Sequence, residues 1–235
     1  KDGGCVAVIC HTVKRSQQVY GALKSARFVD DDSLLLFHAR YPFAWRQDIE
    51  ARVLRSFGKK GKRPHTMVLV ATQVVEQSLD LDFDLMITDL PPVDLLIQRV
   101  GRLHRHDHLH YHKRQRPVRL IDPRVLINEP ELDADRKPDF GRANEYIYGR
   151  FLLLASWLAL QGRDQLTLPD DTTDLIELVY GDGWQTLPLQ DELQRAYKDM
   201  QGEQEGEVIE ADIRDILAPS EPGLLTQRNP ALTED

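Results

Sequence analysis

Gln98, Arg102 and Arg105 are the residues of this chain whose types and spacing best suit chemistry. At about 100° per residue, a helix through them carries all three on one face, at i, i+4 and i+7, with Leu96, Val100 and Leu103 on the other. Two guanidinium forks on one face can grip a single anion with bidentate, permanently charged donors. A γ-phosphate needs such donors as its charge shifts during transfer. The commoner use of such a face is a solvated basic surface, and what precedes the arginines weighs against that use.

Upstream, Met67 to Thr72 is a short apolar, β-branched run that reads as a buried strand. Gln73 to Asp80 is too polar to continue it, Leu85 to Asp89 is a second buried strand, and Pro91-Pro92 stops that strand before the arginine helix. In open parallel sheets ligands bind beyond the carboxyl ends of the strands, where Thr72, the loop and the start of the helix are expected to gather. The Thr72 hydroxyl and the N–H groups after it can hold a phosphate without reading a base. His11-Thr12 and His38-Ala39-Arg40 end two other strands in the same way, although a histidine there serves equally well as a satisfied, partly buried imidazole.

Ala71 to Asp80 resembles motif V of superfamily 2 helicases, and Gln98 to Arg105, Gln-Arg-Val-Gly-Arg-Leu-His-Arg, resembles their motif VI. The wording VATQVVEQSLDLDFD followed by DLLIQRVGRLHRH is similar to the CRISPR-associated helicase-nuclease of type I interference. The likeness is dense over Val68 to His106, looser over Val6 to Phe57, and beyond Pro123 reaches only faintly into the helical linker of that family. It implies that Arg105 is the arginine finger, Arg102 lies beside it on the γ-phosphate, Gln98 stands near the attacking water and Asp80 contacts the nucleotide ribose. Arg99, about 100° around the helix from Gln98, is left as structural or DNA-facing. Thr72, Thr12, His38 and Arg40 become the contacts to a single-stranded DNA backbone.

The resemblance further implies a motor in two lobes. The phosphate loop and magnesium carboxylates belong to a first RecA-like lobe, and only the arginine set is present here. The implied parent binds ATP and Mg²⁺, translocates 3′ to 5′ on single-stranded DNA and cuts it with a separate nuclease domain holding transition metal. That parent is recruited to a CRISPR surveillance complex in the cytoplasm and also carries a C-terminal domain. Two alternatives stay open: the second lobe of another superfamily 2 motor, such as an RNA helicase or restriction translocase, and a non-catalytic nucleic-acid-binding module. A neighbouring phosphate loop with a D-E-x-H box would mark a motor, and an attached His-Asp nuclease would mark this particular one.

Other signals carry less. Gly58-Lys59-Lys60-Gly61-Lys62-Arg63 lacks the spacing of a phosphate loop and reads as a turn with a basic surface. His106-Asp107 is one dipeptide and cannot supply a nuclease metal centre. The alternating histidines from His104 to His112 read as a polar loop, so no metal site is expected.

The elements that must position these groups follow an α/β pattern. Val6 to Thr12 and Leu34 to Arg40 read as strands, Lys14 to Ala26 and Trp45 to Phe57 as helices with Gly58 as a C-cap, and Val118 to Asp122 as one more strand. Strands separated by helices imply right-handed crossovers and a RecA-like parallel sheet with helices on both faces. Asn128 to Phe140 reads as an exposed linker, Gly141 to Gln161 as one helix apolar nearly all round, and Thr173 to Val179, Asp191 to Met200 and Glu207 to Leu217 as further helices, with a polar break at Gln201 to Gly206 and a loose tail from Pro219.

Charge separates the same two parts. Of the 235 residues, Lys1 to Arg124 hold 21 Lys/Arg and 14 Asp/Glu, a balance of +7, while Val125 to Asp235 hold 9 and 24, a balance of -15 within the overall -8. A phosphate backbone belongs with the basic part, so the expected division is a RecA-like domain at 1–124 and an acidic, mainly helical segment at 125–235. The first residue is Lys1, not Met, as expected of a piece of a longer protein. Cys5 and Cys10 read as buried small hydrophobes in a reducing compartment. The longest apolar run, Phe151 to Leu160, is far short of the ~20 residues that cross a bilayer.

Overall fold

The structure, a computed structural model, describes residues 2–76, 79–107 and 116–214, with side chains to residue 203. Four apolar runs become strands: β1 (Gly4–Ile9), β2 (Leu34–Phe37), β3 (Thr66–Ala71) and β4 (Leu85–Asp89). With β5 (Arg124–Asn128) they form a wholly parallel sheet in the order β2-β3-β1-β4-β5. Ile9 lies opposite both Ala71 and Thr88, and Phe37 lies opposite Ala71, so the strands end level with one another.

Side chains alternate across a strand, and this splits the core into two layers. Cys5, Ala7 and Ile9 enter one layer with Phe37, Leu69 and Met86, closed by Val53 and Phe57 of α2 (Phe43–Phe57). Val8 and Cys10 enter the other with Val70, closed by Val19 and Leu23 of α1 (Val13–Ala26). The two free cysteines therefore lie on opposite faces, and burial pushes both thiols up to about 12. Gly58 ends α2 as expected, donating its N–H to Leu54 O at 2.9 Å. A Cβ there would lie 2.4 Å from that carbonyl.

The edge strand departs from the sequence reading. Val118 to Asp122 is not a strand: Pro117, whose fixed φ suits the start of a tight turn, opens a 3-10 turn at Val118–Leu120 with Val118 84% exposed. The sheet gains its fifth strand only after Pro123, where Val125 and Ile127 alternate with exposed neighbours and pair with Met86 and Thr88. The expected linker contains a short hairpin of β6 (Glu131–Leu132) and β7 (Pro138–Asp139).

Gly149 divides the expected long helix into α4 (Arg142–Tyr148) and α5 (Arg150–Leu160), because its φ of +78° cannot continue a right-handed helix. The burial of α5 nearly all round is as expected. Ser156 Oγ accepts from Val93 N at 3.1 Å, and Phe151 meets Trp184 edge-on at 5.4 Å. Helix α6 (Asp170–Tyr180) follows.

Lys1–Pro188 form one compact unit and Leu189–Asp235 another. The charge boundary at residue 124 thus falls inside the first unit, because β5 completes the sheet. In the second unit α7 (Gln190–Arg214) runs unbroken through Gln201 to Gly206, where its Glu and Gln residues are good helix formers in themselves. The end of the predicted helix at Leu217 and the tail from Pro219 lie outside the described residues. Among the described residues no helix is long and apolar enough to cross a membrane.

Candidate functional site

The carboxyl ends of the strands gather the four residues expected to meet a nucleic-acid backbone. Beyond the strands the ladder continues one residue: Cys10 N donates to Ala71 O at 2.8 Å and Thr72 N to Phe37 O at 3.2 Å. Thr72 is buried with its own N–H already used. The Thr12 hydroxyl caps α1 by accepting from Arg15 N at 3.2 Å, and retains its own proton to donate. His38 is buried and stacked face to face on Tyr41 at 4.2 Å, and burial lowers its pKa. Arg40 is exposed. Beside them His11 is 3% exposed, its backbone N–H donates to Asp89 Oδ2 at 3.1 Å, and burial followed by the Arg99 charge brings the imidazole pKa down to about 4.

The arginines form a second centre, and the reason for their convergence differs from the sequence argument. Helix α3 (Val93–Val100) ends before them, so Arg102 and Arg105 do not share a helical face with Gln98. The chain leaves the helix because Leu103 bridges to Phe83: Phe83 N donates to Arg102 O at 3.0 Å and His104 N to Phe83 O at 3.1 Å. The turn is completed by His104 with φ +50°. Helix α3 starts after the carboxyl end of β4, whereas Phe83 precedes the amino end of that strand. The start of α3 therefore lies at the strand ends with Thr72, as expected, but the arginines lie at the opposite end of the sheet.

What unites them is the polar loop after β3. Arg105 Nε donates to Asp80 Oδ1 at 2.6 Å and Nη1 to Gly101 O at 3.3 Å. His106 Nε2 lies 3.1 Å from the same Asp80 oxygen. Arg102 Nη2 donates to Glu76 O at 2.7 Å, and Nη1 donates to Leu79 O. The hydrogen bond from Arg105 holds the Asp80 carboxyl below its usual pKa, outweighing partial burial, with His106 adding to the effect. Burial, then the Arg105 charge, lowers the pKa of Arg102, whose buried Nε makes no hydrogen bond among the described residues. Asp80 and Arg105 have half-exposed side chains, open to a ligand. Gln98 is exposed on α3, and among the described residues no hydrogen bond joins it to this cluster.

Between the two centres stands Arg99, 0% exposed. Its Nε donates to Glu76 Oε1 at 2.7 Å, Nη1 to Thr88 Oγ1 at 2.6 Å and to Asp89 O at 3.2 Å, and Nη2 to Tyr148 Oη at 3.4 Å. Gln73 Nε2 donates to Tyr148 Oη at 2.8 Å and to His11 O at 3.0 Å. Glu76 thus offers its carboxylate to Arg99 and its carbonyl to Arg102. Of the two readings left open for Arg99, the structure selects the structural one.

Sequence reasoning missed Gln73, Glu76 and Tyr148 as parts of this arrangement. The first two were legible as polar residues in a short loop between buried strands, but nothing in the pattern points to Tyr148. It also missed an ion network under the amino end of β4. Arg63 and Arg116 both engage Asp82 and Asp84 there, and Cys5 N donates to Asp84 Oδ2 at 2.6 Å. Arg63 is therefore buried structure, although Lys59, Lys60 and Lys62 of its loop are exposed as expected. Among the described residues no group of three or more His, Cys, Asp or Glu is disposed to hold a metal, and His108, His110 and His112 lie outside them.

Residues 2–108 match the family described as CRISPR-associated nuclease/helicase Cas3, C-terminal. A CRISPR-associated endonuclease/helicase Cas3 of Thermus thermophilus is 44% identical over 195 residues, which are 82% of this chain and 20% of the relative. The chain thus spans about a fifth of that relative's length. A solved structure of T. fusca Cas3 with ATP superposes with a TM-score of 0.77 at 40% identity, over 86% of this chain and 22% of that one. A chain in a structure described as a CRISPR RNA-guided surveillance complex, pre-nicking, superposes with a TM-score of 0.68 at 38% identity, over 83% and 23%.

Proposed function

On the premise that this chain belongs to the Cas3 nuclease/helicase family as a C-terminal helicase segment, we propose that it is the second RecA-like lobe of an ATP-driven motor on single-stranded DNA. Arg105 acts as the arginine finger, Arg102 supports the γ-phosphate, Asp80 takes the ribose, and Gln98 reaches the attacking water once the lobes close. Thr12, His38, Arg40 and Thr72 track the DNA backbone at the other end of the sheet. ATP and Mg²⁺ are held mainly by the first lobe, and the nuclease with its metal occupies another domain of the parent, which works on a CRISPR surveillance complex. Functionally, 1–124 supplies the motor surface and the acidic 125–235 is a connector.

The observation that carries this reading is the arginine pair on the Asp80 loop. Among the described residues Arg102 Nε is a buried donor with no acceptor, and Arg105 lends Nε to a half-exposed carboxylate. The donor set fits a nucleotide: an incoming phosphate competes with Asp80 for Arg105, and the carboxylate so released can accept from a ribose hydroxyl. Among the described residues nothing in the cluster fits Mg²⁺, since Asp80 is the one carboxylate side chain there and is bonded to a guanidinium and an imidazole.

ATP turnover by the parent tests the assignment. Arg105→Ala should lower it by roughly 10³-fold, within the range of arginine fingers, with the lobe still folded. The 235-residue chain alone should not turn ATP over. Near-normal turnover in the Arg105 variant returns these arginines to ordinary surface charge.

A further inference from the structure

A cavity of about 170 Å³ opens beside the carboxyl ends of β1, β4 and β5, walled by His11, Asp89, Glu129, Glu131, Asp139 and Asn144 among others. We propose that it is a guanidinium-binding pocket that receives an arginine side chain from another domain of the same parent protein. This rests on the reading above in one respect, that such domains exist.

Charge gives the sign of the occupant. Four carboxylates line the cavity against one cation, Arg15, and that cation is already committed to Asp89 at 2.8 Å. A phosphate would be repelled from so acidic a mouth. The described residues offer no three-ligand arrangement for a metal ion.

Acceptor geometry narrows the class. His11 is 3% exposed, lines the cavity, and among the described residues neither of its ring nitrogens completes a hydrogen bond, although Asn144 is near enough to favour its protonated form. A neutral imidazole presents one lone pair, which requires a donor. The amide oxygens of Asn128 and Asn144 and the carboxylates of Glu129 and Glu131 add acceptors around the rim. Asp139 Oδ1 accepts from Gly141 N at 2.8 Å, and among the described residues no hydrogen bond to Oδ2 is found. A guanidinium is donor-only, planar and weakly hydrated, so it can answer several such acceptors in one plane, whereas an ammonium answers them as a single compact charge.

Phe140 is also part of the wall, and its ring already has the Arg150 guanidinium 6.0 Å from its centroid. The cavity is smaller than the few hundred Å³ usual for a cofactor and is on the scale of one side chain. The parent is the preferred source because this chain spans about a fifth of the length of its Cas3 relative. An arginine from a tethered domain also has a high effective concentration at the pocket.

The test follows the His11 imidazole signals of the 235-residue chain by NMR during titration with N-acetyl-arginine amide, N-acetyl-lysine amide or cytidine monophosphate. The arginine derivative should give a saturable shift, about fivefold tighter than the lysine derivative, and binding should weaken with salt. Glu131→Gln combined with Asp139→Asn should weaken it about tenfold while leaving the backbone amide spectrum intact. In the full-length parent the pocket should be filled by its own arginine, leaving His11 unresponsive to the added derivative.

Absence of a saturable shift, an equal response to cytidine monophosphate, or indifference to the two carboxylates overturns the pocket. A response in the parent as strong as in the isolated chain overturns the internal source. ATP turnover is not involved in any of these readouts, so the motor reading and the pocket can fail separately.

Discussion

The two ends of the sheet are built on different principles. At the carboxyl end, His11, His38 and Thr72 are buried, Thr12 caps a helix, and the parallel ladder sets their spacing. At the opposite end, Arg102 and Arg105 are long side chains beyond the end of their helix, held to loop carbonyls and to one half-exposed carboxylate. The first end is set by backbone pairing, whereas the second is held by charge-assisted side-chain bonds to a loop. Under the proposed motor function, such a division suits one surface that follows a repeating backbone and one site that responds to a phosphate. Arg99 and Glu76 join the two through hydrogen bonds.

The comparison is most directly broken at Arg99. Arg99→Ala leaves the Glu76 carboxylate and Thr88 without their buried partner, and should cost about 3–5 kcal/mol of folding stability in urea denaturation of the chain. A loss below about 1 kcal/mol would mean that the two ends are stabilised independently.

Acid tests the carboxyl end next. The folded state holds His11 neutral down to about 4, whereas the unfolded chain takes up a proton near 6.5. Stability should therefore be constant above that value and fall by about 3 kcal/mol as pH drops through the window between the two. Denaturation curves at stepped pH should lose most of this slope in His11→Gln, and an unchanged slope would move the acid sensitivity elsewhere.

Tyr148→Phe sharpens the picture further, since the ring against His11 is kept at 4.8 Å while the hydroxyl shared by Gln73 and Arg99 is lost. A cost of about 1 kcal/mol is expected. Within the parent, the same change should weaken the stimulation of ATP turnover by DNA more than it weakens turnover without DNA.

The smallest effect concerns binding. Thr72→Ala with Arg40→Ala should reduce single-stranded DNA affinity a few-fold for every sequence and flatten the salt dependence by ~0.7 in log–log slope, as for one lost phosphate contact. Filter binding over a salt series reads both quantities, and a sequence-selective loss would show that these residues read bases.

Four of the five strands, the two-faced core and the burial of Cys5 and Cys10 were legible in the sequence, because parallel strands buried on both faces are written as short, nearly continuous apolar runs. Thr12, His38 and Thr72 were legible for the same reason, since a strand end is marked by the switch from apolar to polar residues. Asp80, Arg102 and Arg105 were legible through their two motifs, but the helical face expected to join Gln98, Arg102 and Arg105 does not form, because the helix ends at Val100. The edge strand and the division at Gly149 also escaped, the first because Val118 to Asp122 is as apolar as a strand, and the second because a glycine inside an apolar run does not announce its φ.

Sequence by itself determined which residues are apolar, where runs stop and which charged types recur, and these set the sheet and its two covered faces. Only the tertiary structure decided that α3 stops at Val100, that Arg99 points inward while Arg102 and Arg105 reach the Asp80 loop, and that Tyr148 meets Gln73, 75 positions away. Periodicity reports how a segment turns about its own axis, whereas each of these outcomes rests on a contact between segments far apart in the chain. The Leu103 to Phe83 bridge ends the helix, and a buried guanidinium must find acceptors wherever the fold has placed them.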